Sequence, residues 1–266
     1  MSEEKSSVKR RDFVKKTSAL LGIAAFSATG AKAFSLTNPG REKKDKRHIG
    51  QETKRFVMVM DLRKCVGCQA CSAACKNENN VPQEKYRTYV PEYELGVFPD
   101  VRKAFLPQLC NHCAEPSCVS VCPTGATFAR KDGVVVVDGD ICWGCGYCIN
   151  ACPYDKRYFN PQTNVADKCT FCAHRLDAGL LPACVESCVG GARISGDIND
   201  SNSEVSKLLK QFPATVLKPE SGNQPRVFYI GLNGEIQGLP FSLGLLDDKV
   251  KQKDGLTPKE WSSKGV

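Results

Sequence analysis

The sequence predicts an α+β fold in which short strands and helices are separated by long, loop-rich segments. Phe56–Met60 is a run of apolar, β-prone residues, which predicts a strand that leads into the first cysteines. Ala126–Ala129 and Val134–Val137 also have strand composition. They are joined through Asp132-Gly133, a favoured pair in tight turns, so they predict a hairpin. A helix is predicted over residues 203–212.

The helix prediction depends on four apolar residues at the spacing of one helical face, preceded by a serine that can act as N-cap. The apolar residues are Val205, Leu208, Leu209 and Phe212, and the candidate caps are Ser201 and Ser203. Val227–Ile230 followed by Asn233-Gly234 predicts a second hairpin near the end of the chain. Residues 247–266 form a charged tail without periodicity.

The chain has 266 residues, 41% of them hydrophobic and 25% charged, which is typical of a globular protein. No apolar run reaches the length of about 18 residues that a membrane span needs, so membrane association would require a partner. Half of the net charge of +8 comes from residues 1–33, which hold seven Lys or Arg and three Asp or Glu. The small remaining surplus forms no basic stripe with interleaved aromatic residues, which argues against nucleic-acid binding.

The first 33 residues have the parts of an export signal: a basic start, a weakly apolar run over Ala19–Phe26, and an Ala-Lys-Ala cleavage site ending at Ala33. The adjacent arginines in KRRDFVKK resemble a twin-arginine signal, which exports folded, cofactor-loaded proteins. This signal predicts a periplasmic protein. The alternative is that residues 1–33 form an amphipathic N-terminal helix. The predicted segments are the leader (1–33), a basic linker or arm (34–55), a cysteine-rich core (56–190) and a C-terminal extension with the helix, the second hairpin and the tail (191–266).

The sixteen cysteines form four groups of four, and none is left over. In chain order the groups are Cys65-x2-Cys68-x2-Cys71-x3-Cys75, Cys110-x2-Cys113-x4-Cys118-x3-Cys122, Cys142-x2-Cys145-x2-Cys148-x3-Cys152 and Cys169-x2-Cys172-x11-Cys184-x3-Cys188. Three cysteines separated by two residues, with a fourth after three more, are typical of bacterial ferredoxins that bind [4Fe–4S] clusters. The fourth cysteine is expected to start the next helix and to ligate the neighbouring cluster.

Other uses of the cysteines fit less well. Zinc ribbons use Cys-x2-Cys pairs, but the third and fourth cysteines here lack ribbon spacing. Cysteines three positions apart on tight loops pair poorly as disulfides. Catalytic thiols need bases, and the only histidines are His48, His112 and His174. His112 and His174 are expected to be packed or solvated. Four aromatic residues beside cysteines are expected to keep water from the clusters, namely Trp143, Tyr147, Tyr154 and Phe171.

The order and spacing of the four groups resemble the iron–sulfur (beta) subunits of molybdopterin oxidoreductases of the dimethyl sulfoxide reductase family. The resemblance covers about residues 55–240. Within the family, residues 166–197 (ADKCTFCAHRLDAGLLPACVESCVGGARISGD) and 216–232 are most similar to tetrathionate reductase beta subunits, which also carry a twin-arginine leader. The fourth group departs from the common pattern, because Val189-Gly190-Gly191 stands where a proline often follows the last cysteine.

The resemblance implies two ferredoxin-like double-cluster modules related by pseudo-twofold symmetry. One module combines groups one and four, and the other combines groups two and three. Four [4Fe–4S] clusters are implied, with these ligand sets: set one, Cys65, Cys68, Cys71 and Cys188; set two, Cys75, Cys169, Cys172 and Cys184; set three, Cys110, Cys113, Cys118 and Cys152; set four, Cys122, Cys142, Cys145 and Cys148.

The resemblance also implies an electron-transfer subunit that is not an enzyme by itself. Its partners would be a polytopic, quinol-oxidising membrane (gamma) subunit and a molybdopterin catalytic (alpha) subunit, with sets one and two facing the catalytic subunit. Tetrathionate is the expected substrate of the complex, and dimethyl sulfoxide, polysulfide, thiosulfate or nitrite are alternatives. A free-standing periplasmic polyferredoxin is the alternative from another class, which the basic arm and the C-terminal extension disfavour.

Overall fold

The computed structural model describes residues 49–232 and 234–237, so the predicted leader and charged tail lie outside the described residues. The described part contains twelve strands, seven α-helices and a 3-10 turn at Pro219–Ser221. Strands β1 to β12 are Phe56–Asp61, Thr88–Tyr89, Glu92–Leu95, Arg102–Phe105, Gln108–Leu109, Thr127–Ala129, Val135–Val137, Arg157–Asn160, Val165–Lys168, Arg193–Asp197, Ala214–Thr215 and Val227–Ile230. Helices α1 to α7 are Ala70–Asn79, Ser117–Ser120, Tyr147–Asn150, Ala173–Asp177, Ala183–Glu186, Glu204–Gln211 and Gly234–Gln237. The prediction of a mixed helix and strand fold is confirmed.

Strand β1 is an inner strand of a four-stranded sheet with the order β10-β1-β12-β11. It pairs antiparallel with β10, where Met58 lies opposite Ser195, and parallel with β12, where Met58 lies opposite Val227. Strand β11 pairs antiparallel with β12. The segment that follows the last cysteine therefore supplies the neighbours of the first strand.

Both faces of β1 are buried, which explains its uninterrupted apolar sequence. Met58 and Met60 point into the main core, which also contains cysteines. Val57 and Val59 point to the opposite face, where they pack with Val205 of helix α6. The sheet thus separates the cysteine-bearing core from the amphipathic helix.

The other strands form four two-stranded hairpins around this core: β2–β5, β3–β4, β6–β7 and β8–β9. The predicted strand at Phe56–Met60 and the hairpin at Ala126–Val137 are confirmed as β1 and β6–β7. Gly133 in the turn has a φ of +84°, a conformation that glycine adopts without strain. The end of the predicted arm lies along this turn, because Arg55 Nη1 donates to the carbonyl oxygen of Lys131 at 2.6 Å.

The helix predicted over residues 203–212 is α6, and Ser203, not Ser201, is its N-cap, since Ser203 Oγ accepts from the Ser206 amide at 3.3 Å. The hairpin predicted after Val227–Ile230 is wrong. The partners of β12 are β1 and β11, both earlier in the chain, and Gly234–Gln237 is helical. None of the helices in the described residues is long and apolar enough to cross a membrane.

Candidate iron–sulfur centres

Helices α1, α2, α3 and α5 each carry cysteines. Cys71 and Cys75 both lie within α1, and Cys148 lies within α3, with Cys152 just after its end. The expectation that the fourth cysteine starts the next helix is therefore wrong, because the helix begins before the third cysteine. Residues four apart lie on one face of a helix, so one helical face presents both cysteines.

Four cysteines that are far apart in sequence line one small cavity, namely Cys65, Cys68, Cys71 and Cys188. Two glycines permit the close packing of its walls. A Cβ on Gly67, whose φ is +71°, would lie 2.2 Å from the ring of Phe105. A Cβ on Gly190 would lie 2.3 Å from the carbonyl oxygen of Lys64. Glycine at these positions therefore lets the loop of group one meet the end of group four.

A second cavity is lined by Cys75, Cys169, Cys172 and Cys184. Burial raises the pKa of Cys75 to about 12, and the neighbouring Cys184 and Cys172 add to the rise. Burial likewise raises the pKa of Cys169. Such thiols stay protonated on their own and lose their protons when a metal binds, because the bound metal offsets the cost of burying several thiolates. The donors therefore fit a buried iron centre.

The cysteines of set three also lie together. Burial raises the pKa of Cys113 to about 12, and Cys110, Cys118 and Cys152 contribute to the rise as near neighbours. Among the described residues, no three His, Cys, Asp or Glu side chains converge on one point as the ligands of a single ion do.

The structure brings together two of the four cysteines of set four. Cys142 and Cys148 pack in one small apolar cluster with Cys118 of set three. The membership of Cys122 and Cys145 in set four remains a prediction from the sequence.

Contacts between cysteines of different sets arrange the sets in a row. Cys71 of set one and Cys184 of set two belong to one buried core, where burial raises the pKa of Cys184 and the nearby Cys71 adds to the rise. Cys169 of set two and Cys110 of set three belong to the same core, where burial raises the pKa of Cys169 and the nearby Cys110 adds to the rise. The apolar cluster around Cys118 then joins set three to set four. The order along the row is therefore one, two, three, four.

Exposure differs along this row. Cys68 and Cys145 are exposed, whereas the other fourteen cysteines are buried or half-buried, and none of the sixteen is in a disulfide. Cys68 lines the cavity of set one, and Cys145 is assigned to set four. With Cys145 in set four, as the sequence predicts, the two exposed cysteines belong to the two ends of the row.

His112 and Phe171 stack where sets two and three meet, with ring centroids 3.8 Å apart. Burial lowers the pKa of His112, and the nearby Lys168 and Arg157 charges lower it further, so the imidazole is neutral. Its Nδ1 accepts from the Val135 amide at 3.0 Å, which leaves the proton on Nε2. The prediction that His112 is packed is confirmed. His174 is different, because it lies at the surface and contacts Glu78 at 2.7 Å.

The aromatic residues divide into two kinds. Tyr154 and Phe171 are fully buried, as expected for side chains that keep water away from the cysteines. Trp143 and Tyr147, which flank Cys145, are 80% and 62% exposed. In the described part of the chain these two side chains therefore do not have the shielding role predicted for them.

Buried basic residues next to the cysteines were not predicted from the sequence, and they include Arg157, Lys168 and Arg193. Among the described residues, the buried nitrogens without a hydrogen-bond partner include Arg157 Nε, Arg193 Nη1 and His112 Nε2. Cluster sulfides and thiolates accept hydrogen bonds, so these donors fit iron–sulfur clusters held by the cysteines. The sequence does contain a signal that could have identified the two arginines, because Arg157 and Arg193 each stand five residues after the last cysteine of a group.

Comparison with known proteins agrees with this geometry. Residues 101–198 match the family described as a 4Fe-4S dicluster domain. The B subunit of the tetrathionate reductase of Salmonella typhimurium is 55% identical, over 70% of this chain and 76% of that protein. The corresponding B subunit from Archaeoglobus fulgidus, also of a tetrathionate reductase, is 48% identical, over 68% of this chain and 84% of that protein. The arsenate respiratory reductase iron–sulfur subunit ArrB of Shewanella sp. is 40% identical, over 66% of this chain and 96% of that protein. The chain belongs to the iron–sulfur electron-transfer subunits of the dimethyl sulfoxide reductase family of molybdopterin oxidoreductases.

Proposed function

We propose that the chain relays electrons from a quinol-oxidising membrane subunit, through four [4Fe–4S] clusters, to a molybdopterin catalytic subunit that reduces tetrathionate. The observation that carries the proposal is the row of cysteine sets with an exposed cysteine at each end, Cys68 and Cys145. A relay needs an entry and an exit at the surface, and insulated centres between them. The buried and half-buried cysteines between these ends meet that requirement.

Sets one to four are proposed to ligate one cluster each. When bound, these clusters supply one-electron transfer. The protein keeps them dry with buried side chains such as Tyr154 and Phe171. The matching positions of Arg157 and Arg193, each five residues after a last cysteine, support the pseudo-twofold relation between the two modules. The double-module architecture is part of this proposal.

Exposed apolar side chains at both ends of the row support binding to two partners. Val66 and Val189 flank set one and are 62% and 80% exposed. Trp143 and Tyr147 flank Cys145 at the other end. Large exposed apolar side chains of this kind are common where a protein binds another protein. We assign the end with set one to the catalytic subunit and the end with set four to the membrane subunit, by analogy with the family.

Tetrathionate is the proposed substrate because two of the relatives above are subunits of tetrathionate reductases. Quinol oxidation releases two electrons and two protons, and two electrons reduce one tetrathionate to two thiosulfates. The relay therefore passes two electrons per turnover, one at a time. The substrate would not touch this chain, so the alternatives are arsenate, from the relative named for an arsenate respiratory reductase, and dimethyl sulfoxide, from the family resemblance.

We further propose that residues 1–33 are a twin-arginine signal and that the mature chain works in the periplasm, bound to the inner membrane through its partner. Residues 34–55 would be the arm, residues 56–190 the paired modules and residues 191–266 the extension. A twin-arginine signal exports chains that are already folded. The clusters would therefore be assembled in the reducing cytoplasm, before export.

The test is anaerobic purification of the complex from detergent-solubilised membranes. We expect a large molybdopterin subunit and a multi-span subunit to co-purify with the chain, and tetrathionate to be reduced with quinol. Iron and acid-labile sulfide should each amount to about sixteen atoms per chain, as four cubanes require. Fewer clusters, or the lack of a catalytic partner, would contradict the proposal.

Two other outcomes would identify the alternatives. A chain that purifies alone as a monomer with its clusters intact would be a free-standing polyferredoxin. A chain that contains zinc and lacks the broad absorption at about 400 nm typical of iron–sulfur proteins would be a zinc scaffold.

A further inference from the structure

Besides Lys156, whose Nζ donates to Tyr89 Oη at 2.6 Å, three basic side chains are buried beside the cysteine sets. Arg157, Lys168 and Arg193 are only 4%, 1% and 3% exposed. None of the ion pairs in the described residues joins them to a carboxylate. A buried charge without a partner costs several kcal/mol, so such residues are retained only where a negative group lies close to them.

Arg157 lies between sets three and four. Its Nη2 donates to Cys118 Sγ at 2.9 Å, and its Nη1 donates to Thr127 Oγ1 at 3.2 Å. Cys118 of set three and Cys148 of set four are both close enough to act on its charge. Arginine stays protonated in proteins, so the positive charge at this junction is permanent.

Arg193 has the corresponding place between sets one and two. Its Nη2 donates to Thr88 Oγ1 at 2.9 Å, so it too is held by a threonine hydroxyl. Arg193 lines the cavity of set one, and Cys184 of set two and Cys71 of set one are the cysteines that act most strongly on its charge. The same offset from a last cysteine, the same kind of anchor and the same position between two sets make Arg157 and Arg193 equivalent.

Lys168 lies at the remaining junction, between sets two and three. Its Nζ donates to the carbonyl oxygen of Cys169 at 2.7 Å and to that of Val135. Cys169 belongs to set two, and Cys110 of set three is a neighbour of the same ammonium group. Each of the three junctions in the row therefore holds one buried basic side chain.

We propose that Arg193, Lys168 and Arg157 are positioning residues that raise the midpoint potentials of the clusters on both sides of each junction. The proposal rests on the four-cluster function proposed above. Reduction adds one negative charge to a cluster, and a buried cation stabilises the reduced form because the local dielectric is low. A hydrogen bond to a ligand sulfur, such as that from Arg157 to Cys118, acts in the same direction.

The test compares Arg157→Gln and Arg193→Gln with the unmodified complex, purified anaerobically. Iron and acid-labile sulfide are measured first, and the midpoint potentials are then determined by a redox titration followed by electron paramagnetic resonance. We expect Arg157→Gln to lower the potentials of two clusters and leave the other two unchanged. Arg193→Gln should lower the potentials of the complementary two. Lys168→Gln should affect one cluster of each pair.

Arg130→Gln is the matched control. Arg130 is a buried arginine, 7% exposed, but it is paired with Asp132 and Asp177 instead of facing cysteines. We expect this variant to lose stability while all four potentials remain unchanged. Equal shifts in Arg130→Gln and Arg157→Gln would show a general effect of a lost buried arginine and would overturn the proposal.

The remaining outcomes separate the inference from the function on which it rests. Fewer than four clusters in the unmodified complex would refute the proposed function itself. Four clusters with unmoved potentials in both arginine variants would overturn the inference and leave the function intact. If Arg157→Gln fails to retain its clusters, Arg193→Gln decides, because it removes the equivalent charge at the other junction. Lowered potentials of the two clusters beside Arg193 support the inference, and unmoved potentials overturn it.

Discussion

Arg157 and Lys168 lie directly opposite each other across the β8–β9 hairpin, and both side chains are buried. Like charges opposite each other on adjacent strands repel, and the low dielectric of the interior strengthens the repulsion. The negative groups that can offset it are cysteine sulfurs, among them Cys110 and Cys118. The stability of this hairpin therefore depends on the negative charge of the centres that the cysteines hold.

Removal of iron should accordingly destabilise the folded chain. We expect a large fall in the unfolding temperature after anaerobic chelation, because a buried charge that loses its partner costs about 3–5 kcal/mol. Thermal unfolding before and after chelation, followed by circular dichroism, measures the change.

Lys168→Met is the control for this prediction, since it removes one of the two opposed charges. The iron-free variant should unfold at a higher temperature than the iron-free unmodified chain. If chelation leaves the unfolding temperature unchanged, the hairpin does not depend on bound iron.

Gly190 and Gly191 allow a test of the packing around set one, because they differ in what a methyl group would meet. A Cβ on Gly190 would lie 2.3 Å from the carbonyl oxygen of Lys64, a backbone atom next to Cys65. Gly191 has a φ of +61° and open space around its Cβ position. Gly190→Ala should therefore force the loop of group one away from Cys188.

We expect Gly190→Ala to lose the iron and sulfide of one cluster while the other clusters remain. Gly191→Ala should keep all its clusters and lose only about 1 kcal/mol of stability to backbone strain. Iron and sulfide analysis of both variants decides the matter. Full cluster content in Gly190→Ala would contradict this prediction, because the loops would then have accommodated the methyl group without moving the cysteines of set one apart.

The sequence predicted what is encoded locally and missed what long-range packing decides. The cysteine groups, strand β1, the hairpin at Asp132-Gly133 and helix α6 follow from spacing, turn chemistry and periodicity. The partners of β12 could not be predicted, since strand pairing across the chain depends on which faces are buried together. The buried arginines were missed because an arginine in a short strand is usually exposed. The sequence predicts a shielding role for Trp143 because it follows Cys142 directly. The prediction fails because a sequence neighbour of a cysteine can point away from it.

The N-cap of helix α6 offers a direct test of a local prediction. Ser203 Oγ accepts from the Ser206 amide at 3.3 Å, and the helix that it caps packs through Val205 against β1. Ser203→Ala should lower the free energy of unfolding by about 1 kcal/mol, the usual cost of losing such a cap. Ser201→Ala should change it by less than about 0.5 kcal/mol, since Ser201 is exposed and precedes the cap. Denaturant unfolding of the two variants compares them, and equal losses would contradict the assignment of the cap.

The two exposed ends of the row should bind different partners, and single substitutions can separate them. Trp143 is 80% exposed beside Cys145, and Val189 is 80% exposed beside Cys188. Trp143→Ala should weaken binding to the membrane subunit by roughly 30-fold, because an interface tryptophan contributes about 2 kcal/mol. The stability and cluster content of the Trp143→Ala variant should not change, since truncating an exposed side chain removes few contacts within the chain.

Val189→Asp should have the reciprocal effect. A charge placed in an apolar contact would weaken binding to the catalytic subunit and leave binding to the membrane subunit unchanged. Binding of each variant to each purified partner, measured by biolayer interferometry under anaerobic conditions, gives four affinities. If both substitutions weaken the same partner, one end of the row is not an interface. If Trp143→Ala weakens the catalytic subunit and Val189→Asp the membrane subunit, the assignment of the ends is reversed.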